Sequence, residues 1–179
     1  VFLGNMLKVG SKPFYRLGQT FNFTMDKSSV QPPKDFAKWA RICEHIVKHY
    51  NEGWAEGFRW GIAYWEIWNE PDGSPDPKTG CTWGGTGEQF DRFYEVVAKH
   101  LKKVCPNIKV GGPALAWQLD WAGRFLDHQK AAGAPLDFFS WHCYANRPET
   151  MADTARTVRG LMEKYGYGDE FLAARGIKL

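Results

Sequence analysis

Glu70 follows an apolar, aromatic run, Tyr64 to Trp68, from which only Asn69 separates it. In the stretch YWEIWNEPDG, Pro71, Asp72 and Gly73 then break further extension. A short apolar run bounded by turn formers reads as a strand buried on both faces, as in parallel sheets. A carboxylate delivered to the end of such a strand is partly desolvated, which is costly unless it is paired or used. Proton transfer is the chemistry it could do. His142 and Tyr144 follow a second such run, in LDFFSWHCY, so that all three side chains sit past strand C-terminal ends. Glu66, inside the first run, reads as a buried, paired structural carboxylate, and by period-two parity it is expected on the same side of the strand as Trp68.

The elements that must position these residues alternate. Met6 to Lys12 reads as the end of a helix and a polar turn, Pro13 to Leu17 as a short strand, and the chain to Asp26 as loop. Phe36, Trp39, Ala40, Cys43, Ile46, Val47 and Tyr50 recur at helical spacing until Asn51, Glu52 and Gly53 stop the pattern. The strand Ile62 to Trp68 is followed by a Gly-, Pro- and Trp-rich loop from Pro71 to Gly85. Thr86 with Gln89 is a capping box for a helix whose stripe is Phe90, Phe93, Tyr94, Val97, Leu101 and Val104. Ile108 to Val110 reads as a strand running into a turn at Gly111 to Pro113, which lets backbone pass close to the site. Asp120 is expected to cap a helix burying Ala122, Phe125, Leu126 and Gln129, closed by Gly133. A strand over Phe138 to His142 and a final helix from Pro148 to Tyr165 complete the order.

Regular strand–helix alternation implies an α/β fold with parallel strands joined by right-handed crossovers, either a doubly wound sheet or a (β/α) barrel. No strand is followed by Gly-x-Gly-x-x-Gly or a P-loop, which removes the usual nucleotide readings. Chemistry at strand C-terminal ends favours the barrel. Four strands are half of one, since eight take about 250 residues. The 179 residues fit one domain, and the start at Val1 reads as a piece of something longer.

Composition narrows the function classes. The net charge of +3 comes from Lys and Arg scattered among nearly as many acids, with no basic stripe interleaved with aromatics, so nucleic-acid binding is unmotivated. No run approaches a membrane span, and no signal peptide is seen ahead of the fold; the compartment is left open. Cys43, Cys81, Cys105 and Cys143 form no Cys-x-x-Cys pair and read as reduced, mostly buried thiols. No ligand cluster at zinc or calcium spacing occurs, so no metal and no cofactor is implied. Nine Trp exceed ordinary core use and favour a carbohydrate ligand, because apolar sugar faces stack on indole; a Trp-rich core is the alternative.

YWEIWNEPDG, then WGGTGEQF, IKVGGPA and LDFFSWHCYA, together resemble glycoside hydrolase family 39, the β-xylosidase and α-L-iduronidase group. The resemblance runs from about Pro13 through the last helix. It implies a single partial (β/α)8 TIM-barrel domain over residues 1–179, about strands three to six. It also implies a carbohydrate substrate and retaining hydrolysis, in which one carboxyl protonates the leaving oxygen and a second, about 5 to 5.5 Å away, attacks the anomeric carbon. By resemblance Glu70 is the general acid/base and Asn69 donates to the sugar 2-hydroxyl; the bland alternative for Asn69 is a turn residue bonding its own backbone. The acid must hold its proton near neutral pH, which partial burial and a neighbouring negative charge favour. His142 and Tyr144 match a His and a Tyr near the nucleophile and the sugar, where imidazole and phenol can orient a carboxylate; the alternative for His142 is a core histidine. Trp83 reads equally as a stacking platform or a loop anchor.

The departure is the nucleophile. The family carries it in an Asn-Glu motif at the end of the seventh strand, and here that region reads GYGDEFLAARGIKL, with Asp169 and Glu170 where a strand should begin. Both are poor nucleophile candidates, so the chain alone is expected to be inactive. A sugar-binding pseudoenzyme and a cellulase-like member of the same clan are the competing readings.

Overall fold

The computed structural model describes residues 2–18, 30–73, 82–116 and 118–168. The terminal segment with Asp169 and Glu170, Cys81, and the loop around Asp26 lie outside the described residues. The order is α1 (Phe2–Lys8), β1 (Phe14–Leu17), α2 (Phe36–Asn51), β2 (Tyr64–Ile67), α3 (Gly87–Val104), β3 (Lys109–Leu115), α4 (Leu119–Ala131), β4 (Phe138–Trp141) and α5 (Pro148–Lys164).

Helix starts follow local hydrogen-bond chemistry. The Asp35 side chain accepts from the Lys38 amide to begin α2, and Thr86 and Gln89 form the full capping box of α3. Asn51 closes α2 and also holds both the N–H and the carbonyl of Ile62, at 2.7 and 2.9 Å, tying the helix end to the entry of β2. One expectation fails: α4 starts from Gln118 with no side-chain cap, and Asp120 lies inside its first turn. There its charge meets the positive end of the helix dipole, which suits an acid as well as capping would.

The sheet is all parallel with strand order β1-β2-β3-β4. Right-handed crossovers in an order that never reverses put every connecting helix on one face, whereas a doubly wound sheet reverses at a switch point. Accordingly α2 packs on α3 and α3 on α4. The core lies between this helix layer and the sheet. Trp65, Ile67, Leu17 and Val110 meet Phe90, Phe93, Tyr94, Val97 and Leu101 there, all essentially inaccessible. The opposite face carries Phe14, Tyr64 and Phe138, whose rings touch one another at 4.9 to 5.9 Å, and Phe14 is 51% exposed.

β3 is longer than its sequence suggests. Gly111 to Pro113 is part of the strand and not a turn: the ladder continues to Leu115 through an irregularity between Gly112 and Leu115, with a cis peptide at Gly112–Pro113. Gly111 is needed because a Cβ there would collide with the Phe138 carbonyl of the paired strand. In β2 the reverse holds, and only Tyr64 to Ile67 of the expected Ile62 to Trp68 pairs in the ladder.

Candidate active site

The loop that bears Glu70 begins where β2 abandons extended backbone. Trp68 takes φ +70°, a left-handed conformation, and turns its indole toward the helix layer, against Trp39, Trp83 and Phe93. The parity expectation therefore fails: Trp68 joins the helix-side core, whereas Glu66 pairs with Arg16 across β1 and β2. Trp68 donates its amide to Leu17 O at 2.8 Å and its indole N–H to Thr82 O at 2.7 Å. Gly18 makes room for the ring, since a Cβ there would stand 2.7 Å from Trp68 Cε3.

Glu70 itself has φ +48°, and the residue that accepts its amide, Ala114 at 3.0 Å, has φ +56°. Left-handed backbone costs a non-glycine residue on the order of 1 kcal/mol or more, and such strain gathers at functional sites. Thr82 holds the loop in this shape: its hydroxyl lies 2.6 Å from Asn69 O and 2.5 Å from Glu70 O, sharing one hydrogen between them. Asp72 fixes the other side. Its buried carboxylate accepts the Ala116 amide at 2.7 Å and the Gln118 amide at 2.8 Å, and its own carbonyl accepts from the Gln118 side chain.

At the top of this frame Glu70 Oε1 lies 2.5 Å from His142 Nδ1, two side chains 72 residues apart and each about a quarter exposed. His142 is held by its amide, which donates to Leu115 O at 2.7 Å. Beyond it, Arg16 Nη2 lies 3.5 Å from His142 Nε2, and Arg16 Nε lies 2.6 Å from the buried Glu66 Oε2. A carboxyl group with one oxygen bonded to an imidazole and partial access to the open face of the sheet can donate or accept a proton there.

The other expected residues fall differently. The Asn69 side-chain oxygen is buried with no hydrogen-bond partner, so it does not cap its own backbone. Such an orphan acceptor beside a carboxylate calls for a ligand or a functional reason. Trp83 is 2% exposed, packed against Trp68, Phe90 and Phe93 with its N–H on Thr86 O, and leaves no ring face open for stacking. This is the loop-anchor alternative. Tyr144 is 95% exposed. Cys43 and Cys105 are buried and free, with their thiols pushed up by burial. Among the described residues no group of three His, Cys, Asp or Glu side chains could hold a metal, and no helix is long and apolar enough to cross a membrane. Arg16, Thr82 and Asp72 escaped sequence reasoning. Only Arg16 offered a signal, as a lone charge inside the strand PFYRL.

A protein-family model described as glycosyl hydrolases family 39 matches residues 2–170. A β-xylosidase from Caldicellulosiruptor saccharolyticus is 30% identical over 84% of this chain and 33% of its own length, and one from Geobacillus stearothermophilus is 31% identical over 77% and 30%. The solved glucosidase from Croceicoccus marinus superposes with a TM-score of 0.81 at 32% identity, over 93% of this chain and 34% of that one. A β-xylosidase from Caulobacter crescentus, 24% identical with a TM-score of 0.72, shares the fold. The four βα units are thus part of a TIM barrel, and the chain spans about a third of the length of the relatives it matches.

Proposed function

The chain belongs to glycosyl hydrolases family 39, and from that premise we propose that it carries the proton-transferring half of a retaining glycosidase site acting on β-xylosides or related glycosides. Residues 1–179 are read as one partial barrel domain. The observation that carries the proposal is the 2.5 Å contact between Glu70 Oε1 and His142 Nδ1, at the end of a strained loop past the C-terminal edge of the sheet. Glu70 gives its proton to the leaving glycosidic oxygen and, in the second step, takes one from the attacking water. His142 keeps the carboxyl oriented between those steps. Asn69, next to Glu70 in the chain, donates its side-chain N–H to the sugar 2-hydroxyl. Tyr144, exposed at the same strand end, is available to substrate or to the second carboxylate. That carboxylate, the nucleophile, belongs to the part of the family domain that this chain does not span.

Hydrolysis of an aryl β-xyloside tests both halves of the reading. In the full-length protein Glu70→Gln should lower kcat about 10²- to 10⁴-fold, the usual contribution of general acid–base catalysis, with azide restoring turnover by replacing the second proton transfer. Residues 1–179 alone should give no hydrolysis. Turnover by that piece, abolished by Glu70→Gln, would sink the assignment of the nucleophile to sequence outside it.

A further inference from the structure

Arg16 and Glu66 face each other in register on β1 and β2, and their ion pair is the inward end of a chain of contacts that finishes at Glu70. A guanidinium carries only donors. The nitrogen of His142 that meets Arg16, Nε2 at 3.5 Å, can therefore bond it only as the bare, accepting nitrogen of the ring. The ring hydrogen is then on Nδ1, aimed at Glu70 Oε1. The other protonation states fit worse: an imidazolium or an Nε2–H tautomer would turn an N–H against the guanidinium. Glu66, buried and paired with Arg16, balances its charge and pins it from a strand that cannot shift without breaking the ladder.

We propose that Arg16, braced by Glu66, is a positioning residue that fixes His142 as the Nδ1–H tautomer, so that Oε1 of Glu70 is the permanent acceptor and Oε2 the oxygen that exchanges its proton with the glycosidic oxygen. This rests on the acid/base reading of Glu70. It adds which oxygen works and what decides it. Without Arg16 the ring can sample both tautomers, and in the Nε2–H form its bare Nδ1 competes with the substrate for the Glu70 proton.

Nitrogen-15 NMR of histidine-labelled full-length protein, with His142 assigned by its loss in His142→Gln, reads the tautomer directly. The expected spectrum shows Nδ1 protonated and Nε2 bare, with Arg16→Met giving a mixture and Arg16→Lys, which keeps a donor, restoring the first pattern in part. In kcat/KM, Arg16→Met should lose about 10- to 100-fold on an alkyl β-xyloside, a fraction of the general-acid contribution. On a dinitrophenyl β-xyloside, whose leaving group needs little protonation, the loss should stay within about threefold. A protonated Nε2 in the unaltered protein overturns the proposal even if no Arg16 variant folds. Equal losses on both substrates with an unchanged tautomer would do so as well, reducing Arg16 to a structural ion pair. If instead Glu70→Gln leaves hydrolysis intact, the acid/base reading fails while the tautomer measurement still judges the contact chain on its own.

Discussion

The two faces of the sheet are built to different standards of completeness. Toward the helices the core is enclosed: Trp65, Ile67 and Trp68 from β2 and its exit are buried in one cluster with residues of α2 and α3, and Phe93 alone touches Phe36, Trp39, Trp68, Trp83 and Phe90. On the other face Phe14, Tyr64 and Phe138 touch only along one side, and the polar chain from Glu66 through Arg16 and His142 to Glu70 sits above them. The first face stabilises the segment, and the second carries the residues of the proposed site.

Substitutions should separate the two faces. Phe93→Ala, on the enclosed face, removes a fully buried ring and should cost about 3 to 5 kcal/mol in chemical denaturation; a cost below about 1 kcal/mol would mean that the helix side is no better packed than the open one. Within the helix layer, the Glu95 carboxyl is raised by burial but more strongly lowered by bonds from Arg92, Lys99 and His128, leaving it at about 2. A depressed carboxyl stabilises the fold above its ordinary value near 4.5, and that contribution is lost as pH falls from there toward 2. Because Arg92 and Lys99 are well exposed, about 1 to 2 kcal/mol is the expected loss, and Glu95→Gln should flatten it in acid titrations followed by circular dichroism. Asp91, raised by burial against the pull of Arg124, acts in the opposite sense.

Thr82→Val, at the border of the two faces, takes the shared hydroxyl from Asn69 O and Glu70 O and should cost about 1 kcal/mol of stability, together with a larger loss of kcat because Glu70 is then free to leave its strained backbone. Phe14→Ala is the smallest effect. In residues 1–179 alone it should stay within about 1 kcal/mol, since the ring is half in solvent, and rise severalfold in the full-length protein. Equal costs in the two contexts would erase the contrast.

The sequence made the helix side legible because its signals are local. The Thr86/Gln89 box and the stripes of α2 and α3 are periodic patterns, and the structure repeats them. It misled where backbone conformation overrides pattern. A parity rule that assumes extended chain puts Trp68 on the side of Glu66, and a φ of +70° turns it over. Gly111 to Pro113 resembled a turn because glycine and proline mark turns, but here the missing Cβ serves the close approach to Phe138. Glu70 and His142 were both visible at strand ends, whereas the bridge from Arg16 to His142 spans 126 positions and leaves no trace in spacing. Trp83 matched the chemistry of a sugar platform, and burial decides against it.

The clamp made by Asp72 has a consequence for how the site can be watched. Ala116 and Gln118 lie between β3 and α4, and Gln118 is exposed, so its amide would ordinarily trade its hydrogen for deuterium almost at once. Because the Ala116 and Gln118 amides both end on one buried carboxylate, they should be protected together and released together. Deuterium uptake at that pair is then a gauge, placed outside the reacting groups, of whether the Glu70 loop is docked.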